Sequence, residues 1–373
     1  MNVVCVDCRY ITNRPSGIGE VTWALVRYLP QSAPDLDFVF LRSAQREERL
    51  SNAANVTEIC VKSPANSPAT QWWLPRIVDL SGVDLFHSPF NILPAGLRMK
   101  RVTTIHDIMW LTNPGWCNPR AYGQIERRFY ASGIKRAFDR SDAIATVSAA
   151  TKAEILGQRP DLEPKLSVTL SGVSEQFHKT EIDAETLGMV GLKPGQRYIL
   201  TAGQFAPYKN HEGAIEAFAR AFADQPEIAL IMVQRRNAGA SELVALAHKL
   251  SIEDRVHFTG TVSIETLLQL YSGALALLHP SFCEGFGNPI AEAMACGCPV
   301  VTSNLSAMPE VTNGAALLID PRDSADIARA LRKVSMDEQL ARELSTKGLV
   351  RAKELSWEQF AHANLAIYRR LLA

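Results

Sequence analysis

Residues 278–301 read LHPSFCEGFGNPIAEAMACGCPVV. The apolar run Ala274-Leu275-Ala276-Leu277-Leu278 leads into His279-Pro280, and Glu284-Gly285-Phe286-Gly287-Asn288 forms a glycine turn. A helical pattern from Ile290 to Ala295 is closed by Gly297, and Pro299-Val300-Val301 opens the next apolar run. Strand, glycine turn, helix, strand is the repeating unit of a parallel sheet. Asn288 is expected to cap the helix and Pro289 to start it, since a side-chain oxygen satisfies a free N–H and proline has none to satisfy. The helix start then directs N–H groups and positive dipole at whatever lies over the turn. Gly285 and Gly287 let the backbone come close to it. Glu284 and Glu292 place carboxylates beside this anion-favouring end. Two readings stand for them: acceptors of hydrogen bonds from sugar hydroxyls, or a favourable acid at a helix start with a solvated Glu292.

The same alternation runs outward in both directions. Strands are expected near 2–6, 37–41, 56–61, 84–87, 101–106, 143–147 and 166–170, with helical patterns clearest at 19–29, 119–138 and 149–157. Residues 172–196 carry Gly172, Gly188, Gly191, Pro194 and Gly195 with no long apolar run, and read as a connection. The second half restarts at Tyr198-Ile199-Leu200-Thr201-Ala202-Gly203. Its strands are expected near 228–233, 256–259, 274–279, 299–302 and 315–319. Its helices are expected at 211–223, 240–250, 264–271, 289–296, 323–334 and 337–353. Ser356 caps a last helix whose Phe360, Leu365, Tyr368, Leu371 and Leu372 need a surface to bury against. The expected class is α/β: two doubly wound domains facing a cleft, 1–175 and 197–355, joined by a linker at 176–196 and followed by the helix 356–373. Ligands of such sheets sit at the carboxyl ends of the strands.

Size and composition agree. A chain of 373 residues has room for two cores, and 47% hydrophobic with 21% charged residues describes an ordinary globular protein. No signal peptide or membrane-spanning run is read, so a cytoplasmic location is expected. Seven cysteines lack framework spacing, and Cys5 and Cys8, although C-x-x-C, have no second pair to complete a zinc set. Residues 1–180 hold 21 Lys and Arg against 17 Asp and Glu; residues 181–373 hold 18 against 22. The basic excess gathers between Arg120 and Arg140, with Arg127, Arg128, Lys135 and Arg136. It reads either as a solvated helix face or as a surface for an anionic membrane or a phosphate-bearing acceptor. The interleaved aromatics of a nucleic-acid groove are missing, so no nucleic-acid partner is expected.

Five constellations follow strands. Ser16-Gly17-Ile18-Gly19-Glu20 opens a helix, but lacks the third glycine and the immediate strand of a dinucleotide fingerprint. It admits a phosphate or sugar, or is a plain loop. His87-Ser88-Pro89 follows Asp84-Leu85-Phe86, and a core histidine held by a backbone carbonyl is the favoured reading there. His106-Asp107 follows Arg101 to Ile105 and is favoured as a functional pair in an open loop. Gly203-Gln204-Phe205-Ala206-Pro207-Tyr208-Lys209-Asn210 follows the first strand of the second half, and Lys209 can bring a point charge to a diphosphate. The fifth is the turn from Glu284 to Glu292.

Together these residues resemble the retaining glycosyltransferases of family four, which have the GT-B architecture. Glu284-Gly285-Phe286-Gly287 through Glu292 looks like that family's E-x-seven-E motif, followed by Ala293-Met294-Ala295-Cys296-Gly297-Cys298-Pro299. Lys209-Asn210, the Ser-Gly-Ile-Gly stretch at 16–19, His106-Asp107 and Ser356-Trp357 fit as well. The resemblance implies that the last helix crosses back to the N-terminal domain. It implies ribose hydroxyls on Glu292, the donor sugar near Glu284, and sugar and phosphates near the backbone of Phe286, Gly287 and Asn288. Lys209 would stabilise a diphosphate leaving group in place of a metal ion. A loop at Gly17 and Gly19 would close over the phosphates, and His106 would lie near the anomeric carbon on the acceptor side.

Three residues depart from the family pattern. Gln204 stands where Arg is frequent, Asn288 where Leu is common, and Ser171 where Asn usually precedes Gly172-Val173. The expectation is a metal- and cofactor-independent hexosyltransferase of polysaccharide assembly, resembling bacterial mannosyltransferases. Its donor is GDP-mannose or, next, a UDP-hexose; its acceptor is a glycan or lipid-linked glycan, with a peripheral contact at the inner face of the membrane. A nucleotide-sugar 2-epimerase and a non-catalytic sugar-nucleotide sensor are the rival readings.

Overall fold

The computed structural model describes residues 1–12, 16–118, 123–234 and 240–373. It divides into two compact units, Met1–Gly172 with Trp357–Ala373, and Val173–Ser356.

In the first unit, β1 (Asn2–Asp7), β2 (Leu36–Ser43), β3 (Val56–Val61), β4 (Leu85–Ser88), β5 (Lys100–Ile105), β6 (Ala143–Thr146) and β7 (Leu166–Val168) form one parallel sheet. Their order is β3-β2-β1-β4-β5-β6-β7. Side chains of a strand alternate between faces, so β1 serves two cores. Val4 and Val6 pack with Phe38 and Phe40 beneath the helices Gly17–Ser32 and Trp357–Leu372, while Cys5 packs with Phe86, Ile105 and Phe138 on the other side. Phe360, Leu365 and Tyr368 supply the C-terminal helix's share of the first core. The apolar stripe of that helix is thus buried in the N-terminal unit, as the resemblance implies. The C-x-x-C pair is split between the two cores, Cys8 lying with Val4 and Val6, and burial pushes both thiols well above their usual range.

In the second unit, β8 (Arg197–Ala202), β9 (Ile228–Val233), β10 (Val256–Gly260), β11 (Ala276–His279), β12 (Val300–Ser303) and β13 (Leu317–Ile319) form a parallel sheet in the order β10-β9-β8-β11-β12-β13. Every residue of β9 and β11 is buried, as expected of strands covered on both faces. The chain is therefore two doubly wound parallel α/β layers. The strand order reverses direction between β1 and β4 in one unit and between β8 and β11 in the other, and these are the switch points where such sheets bind ligands.

The strands fall within about two residues of the positions expected from the sequence, the usual scatter of element ends. The helices differ more. Short ones at Pro68–Ile77, Met109–Thr112, Pro114–Cys117, Ala184–Met189 and Met308–Thr312 were not expected. Fewer than three turns give too little periodicity to read, and Pro75 interrupts the longest of them. The segment 176–196 lies within the second unit and includes one of these helices. The expected helix 119–138 is seen from Gly123 to Arg140; its first four positions, including Arg120, lie outside the described residues.

Candidate functional site

The loops after β8 and β11 leave adjacent strands, which pair through Ala276 with Ile199 and Leu277 with Leu200. The two loops are tied together, because the Phe282 N–H donates to the Tyr208 carbonyl at 2.7 Å. Gly203 turns the chain out of β8 at φ 135°, a conformation that favours glycine, and its Cα faces Lys209, whose Cε would lie 3.7 Å from an added Cβ. The chain then makes a short 3-10 turn at Pro207–Lys209 and enters the helix His211–Ala221 through Asn210, which caps it from the left-handed region.

Lys209 and Glu284 meet here. Lys209 Nζ donates to Glu284 Oε1 at 2.5 Å, and both side chains are about nine-tenths buried. The same oxygen accepts from His279 Nε2 at 2.9 Å and from Ser281 Oγ at 2.9 Å. The main chain of Glu284 is held as well: its N–H donates to Ser306 Oγ at 3.2 Å, and Ser306 Oγ donates to its carbonyl at 2.7 Å. Burial pushes the Glu284 carboxyl up, but the Lys209 ammonium and the His279 hydrogen bond outweigh it and hold it at about 2. Burial pushes His279 down, against the pull of Glu284. His211, also buried, is lowered to about 4 by its burial, and its Nε2 meets the Gln204 carbonyl at 3.3 Å. The Gln204 side chain itself is exposed.

The glycine turn differs from expectation at its cap. Gly287, at φ 98°, is the N-cap of the helix Asn288–Ala295, and Asn288 is its first residue rather than its cap. A left-handed cap suits glycine and leaves no side chain to bond the free N–H groups. Only the Ile290 N–H is taken up by the Gly287 carbonyl at 2.9 Å. A Cβ on Gly287 would come within 3.1 Å of Ile290 Cδ1. Gly285 is half-buried and Phe286 buried beside it. Glu292, one turn on, accepts a hydrogen bond at Oε2 from the hydroxyl of Tyr271 at 2.9 Å, and Tyr271 is fully buried.

The first unit holds the other expected residues. Gly17 and Gly19 do not form a loop: they lie in the first turn of the helix Gly17–Ser32, and Ser16 caps it by accepting from the Gly19 N–H at 3.0 Å. Residues 13–15 lie outside the described residues. His106 is half-buried after β5. Its Nε2–H donates to the Pro89 carbonyl at 2.9 Å, and its N–H to Asn91 Oδ1 at 2.8 Å. Burial lowers its pKa to about 4, against the opposing Pro89 carbonyl, so the ring is neutral near pH 7. Asp107 turns back on the chain, Oδ1 accepting from the Met109 N–H at 3.0 Å. The backbone-held histidine is thus His106. His87 is fully buried between side-chain hydroxyls, Tyr368 at 2.5 Å and Thr104 at 2.8 Å.

Lys209, Glu284 and the turn to Glu292 are therefore brought together in one unit, with His106, Asp107, Gly17 and Gly19 in the other. His279, Ser281 and Tyr271, which hold the two carboxylates, and Ser306, which holds the main chain of Glu284, carry no role in the sequence reading. His279-Pro280-Ser281 stands at a strand end three to five residues before Glu284, and that spacing was the available signal. Among the described residues, no group of three or more His, Cys, Asp or Glu side chains is arranged to hold a metal ion. No helix among them is long and apolar enough to cross a membrane.

Comparison with known proteins places this arrangement. Residues 15–176 match the family model Glycosyltransferase Family 4, and residues 185–350 match Glycosyl transferases group 1. O-antigen chain mannosyltransferase B of Escherichia coli is 29% identical over 77% of this chain and 74% of its own length. The serotype-specific mannosyltransferase WbdA of Escherichia coli is 30% identical over 73% of this chain, a match that spans only 34% of that longer protein. Among solved structures, sucrose-phosphate synthase of Thermosynechococcus elongatus superposes with a TM-score of 0.75 at 20% identity, over 100% of this chain and 99% of that one. The likeness to that structure is one of fold. With both halves matched and the fold shared, the chain belongs to the GT-B glycosyltransferases, a family four half joined to a group 1 half in one enzyme.

Proposed function

We propose that this enzyme moves mannose from GDP-mannose to a glycan or lipid-linked glycan, retaining anomeric configuration and using no metal ion. The observation that carries the reading is the convergence of Lys209, His279 and Ser281 on Glu284 where β8 and β11 end. A diphosphate departing there meets an ammonium already in position, and a fixed charge needs no reorganisation at the moment of reaction. The mannosyltransferase names of the two Escherichia coli relatives support the sugar.

In this reading Lys209 stabilises the leaving diphosphate, and Glu284 holds Lys209 in place while lying near the donor sugar. Lys209 and Glu284 together carry no net charge, and Gln204 adds none. The free N–H groups at the start of the helix Asn288–Ala295 therefore supply the remaining positive potential, through Phe286, Gly287 and Asn288. Glu292, oriented by Tyr271, accepts from the ribose hydroxyls. Gly17, Gly19, His106 and Asp107 serve the transferred sugar and the acceptor. The acceptor oxygen attacks C1 from the face that the diphosphate leaves. One C–O bond forms as the other breaks, and the acceptor proton passes to the departing phosphate oxygen. No enzyme nucleophile takes part; the rate comes from positioning and charge stabilisation.

A thermal-shift panel of GDP, UDP, ADP and their sugars in EDTA tests the donor, because a ligand of the folded state raises its melting temperature. GDP and GDP-mannose should give the largest rises. A larger rise with a UDP-hexose would replace the donor. Isomerised sugar formed without acceptor would assign an epimerase, and binding with neither transfer nor hydrolysis would assign a sensor.

A further inference from the structure

One face of the first unit holds four large apolar side chains in water. The helix Pro68–Ile77 buries Thr70, Gln71 and Leu74, and turns Trp72, Trp73 and Ile77 outward at 39%, 46% and 50% exposure. Positions 72, 73, 76 and 77 share one side of a 3.6-residue helix, so Arg76 stands among them. The helix Gly123–Arg140 runs alongside. Trp72 meets Phe129 edge-on at 5.8 Å, Gln71 Nε2 donates to the Phe129 carbonyl at 3.2 Å, and Arg136 Nη1 donates to the Gln71 carbonyl at 3.1 Å. This second helix exposes Ile125 at 61%.

Cations continue the same surface. An open groove of about 900 Å³ runs along the helix Gly123–Arg140, and Arg127, Arg128, Lys135 and Arg140 line it. Its one carboxylate, Asp139, is engaged by Arg159 at 2.9 Å. Among the described residues no ion pair neutralises Arg76, Arg127, Arg128, Lys135 or Arg140.

A single exposed apolar residue is ordinary on a protein surface. A tryptophan pair and two isoleucines beside a row of unpaired cations suit a particular boundary. Indole rings settle at the headgroup level of a bilayer, and Arg and Lys near an anionic leaflet each add attraction. Helices that lie in that boundary combine the same two features. We infer that this face docks on an anionic lipid bilayer. Trp72, Trp73, Ile77 and Ile125 enter the headgroup region, and Arg76, Arg127, Arg128 and Lys135 lie on the lipid phosphates. A neutral glycan stacked on the tryptophans leaves the cations and isoleucines unused, so the bilayer accounts for more of the surface. The inference deepens the reading that the acceptor is lipid-linked, and it is tested without donor or acceptor, so the two can fail separately.

The test is sedimentation of the full chain with vesicles of phosphatidylglycerol and phosphatidylcholine in equal parts, against phosphatidylcholine alone. The protein should pellet with the anionic vesicles, bind the neutral ones at least about tenfold more weakly, and be released by about 0.5 M salt. Arg127→Glu with Arg128→Glu should lower binding by more than about tenfold. Trp72→Ser with Trp73→Ser should lower it by roughly tenfold and abolish a blue shift of tryptophan emission. Both double variants should keep the wild-type melting temperature to within a few degrees, which shows that they fold. Wild-type protein left in the supernatant, or binding that neither pair changes, overturns the inference. Emission that responds to mannose oligosaccharides and not to vesicles assigns the face to glycan instead.

Discussion

At the ends of β8 and β11, three donors, one of them the last residue of β11, converge on one carboxylate oxygen of Glu284. At the ends of β1, β4 and β5, the polar side chains turn back into their own unit. Arg9 grips Asp7 through two nitrogens, at 2.7 and 2.6 Å, and reaches Thr70 at 2.9 Å. His87 is closed between Tyr368 and Thr104, and His106 donates to the Pro89 carbonyl. Two sheets of the same kind use their switch points differently. The second unit assembles a charged constellation around a buried lysine, which suits the leaving-group role proposed for it. The first spends its buried polar groups on fixing its loops and anchoring the C-terminal helix.

The largest effect expected from this contrast is on the second unit. Glu284→Ala leaves the Lys209 ammonium nearly buried without its partner, a loss of about 3–5 kcal/mol. That should lower the melting temperature by roughly 10 °C; a drop of a degree or two would mean that the pair is not held as tightly as its geometry indicates. Since Glu284 is lowered from 4.5 to about 2, its contribution is present above pH 4.5 and fades as pH falls toward 2. A smaller loss is expected in the first unit. Tyr368→Phe removes only a hydroxyl, but leaves buried His87 Nδ1 without a partner, at about 1–3 kcal/mol. Denaturation should show that loss with GDP affinity unchanged, and a change in affinity would break the division of labour between the units.

Next in size, Glu292→Gln should weaken GDP binding by roughly tenfold, because a neutral amide is a poorer acceptor for ribose hydroxyls. Calorimetry showing equal affinity would remove Glu292 from the nucleotide site. The smallest expected effect is an absence. With its pKa near 4, His106 is already neutral above about pH 5, so its ring resonances should stay flat from pH 8 to 5. The stability it contributes is complete above 6.5 and is lost as pH falls through about 4. An inflection near pH 6.5 would restore it as a titrating group.

The frame was legible because buried parallel strands read as short apolar runs: β9 was placed to the residue, and β11 at its end with its start two residues early. Lys209 and Glu284 were legible as candidates because they follow strands, where such folds bring ligands, and Glu292 because it lies one turn into the helix after the glycine turn. What holds them was not. Tyr271 reads as one more apolar residue of the helix Ile264–Gly273, and only the folded chain brings its hydroxyl to Glu292, 21 residues away. The cap of the helix Asn288–Ala295 was misplaced by one residue because Asn is a good cap on propensity alone, while a left-handed Gly287 closes the turn. The glycines at 17 and 19 were expected in a loop that opens a helical pattern running from 19. Ser16 nevertheless starts the helix there by capping Gly19.

On the proposed mechanism, Lys209 carries the charge of the departing diphosphate. Single-turnover transfer from GDP-mannose in EDTA, comparing wild type with Lys209→Met, tests it most directly. Full wild-type activity is expected without metal, with a chemical step about 10²–10³-fold slower in the variant. GDP affinity should change by less than about tenfold, because the charge acts mainly in the transition state. An unchanged chemical step with a raised KM, or activity that depends on an added divalent metal, would contradict it.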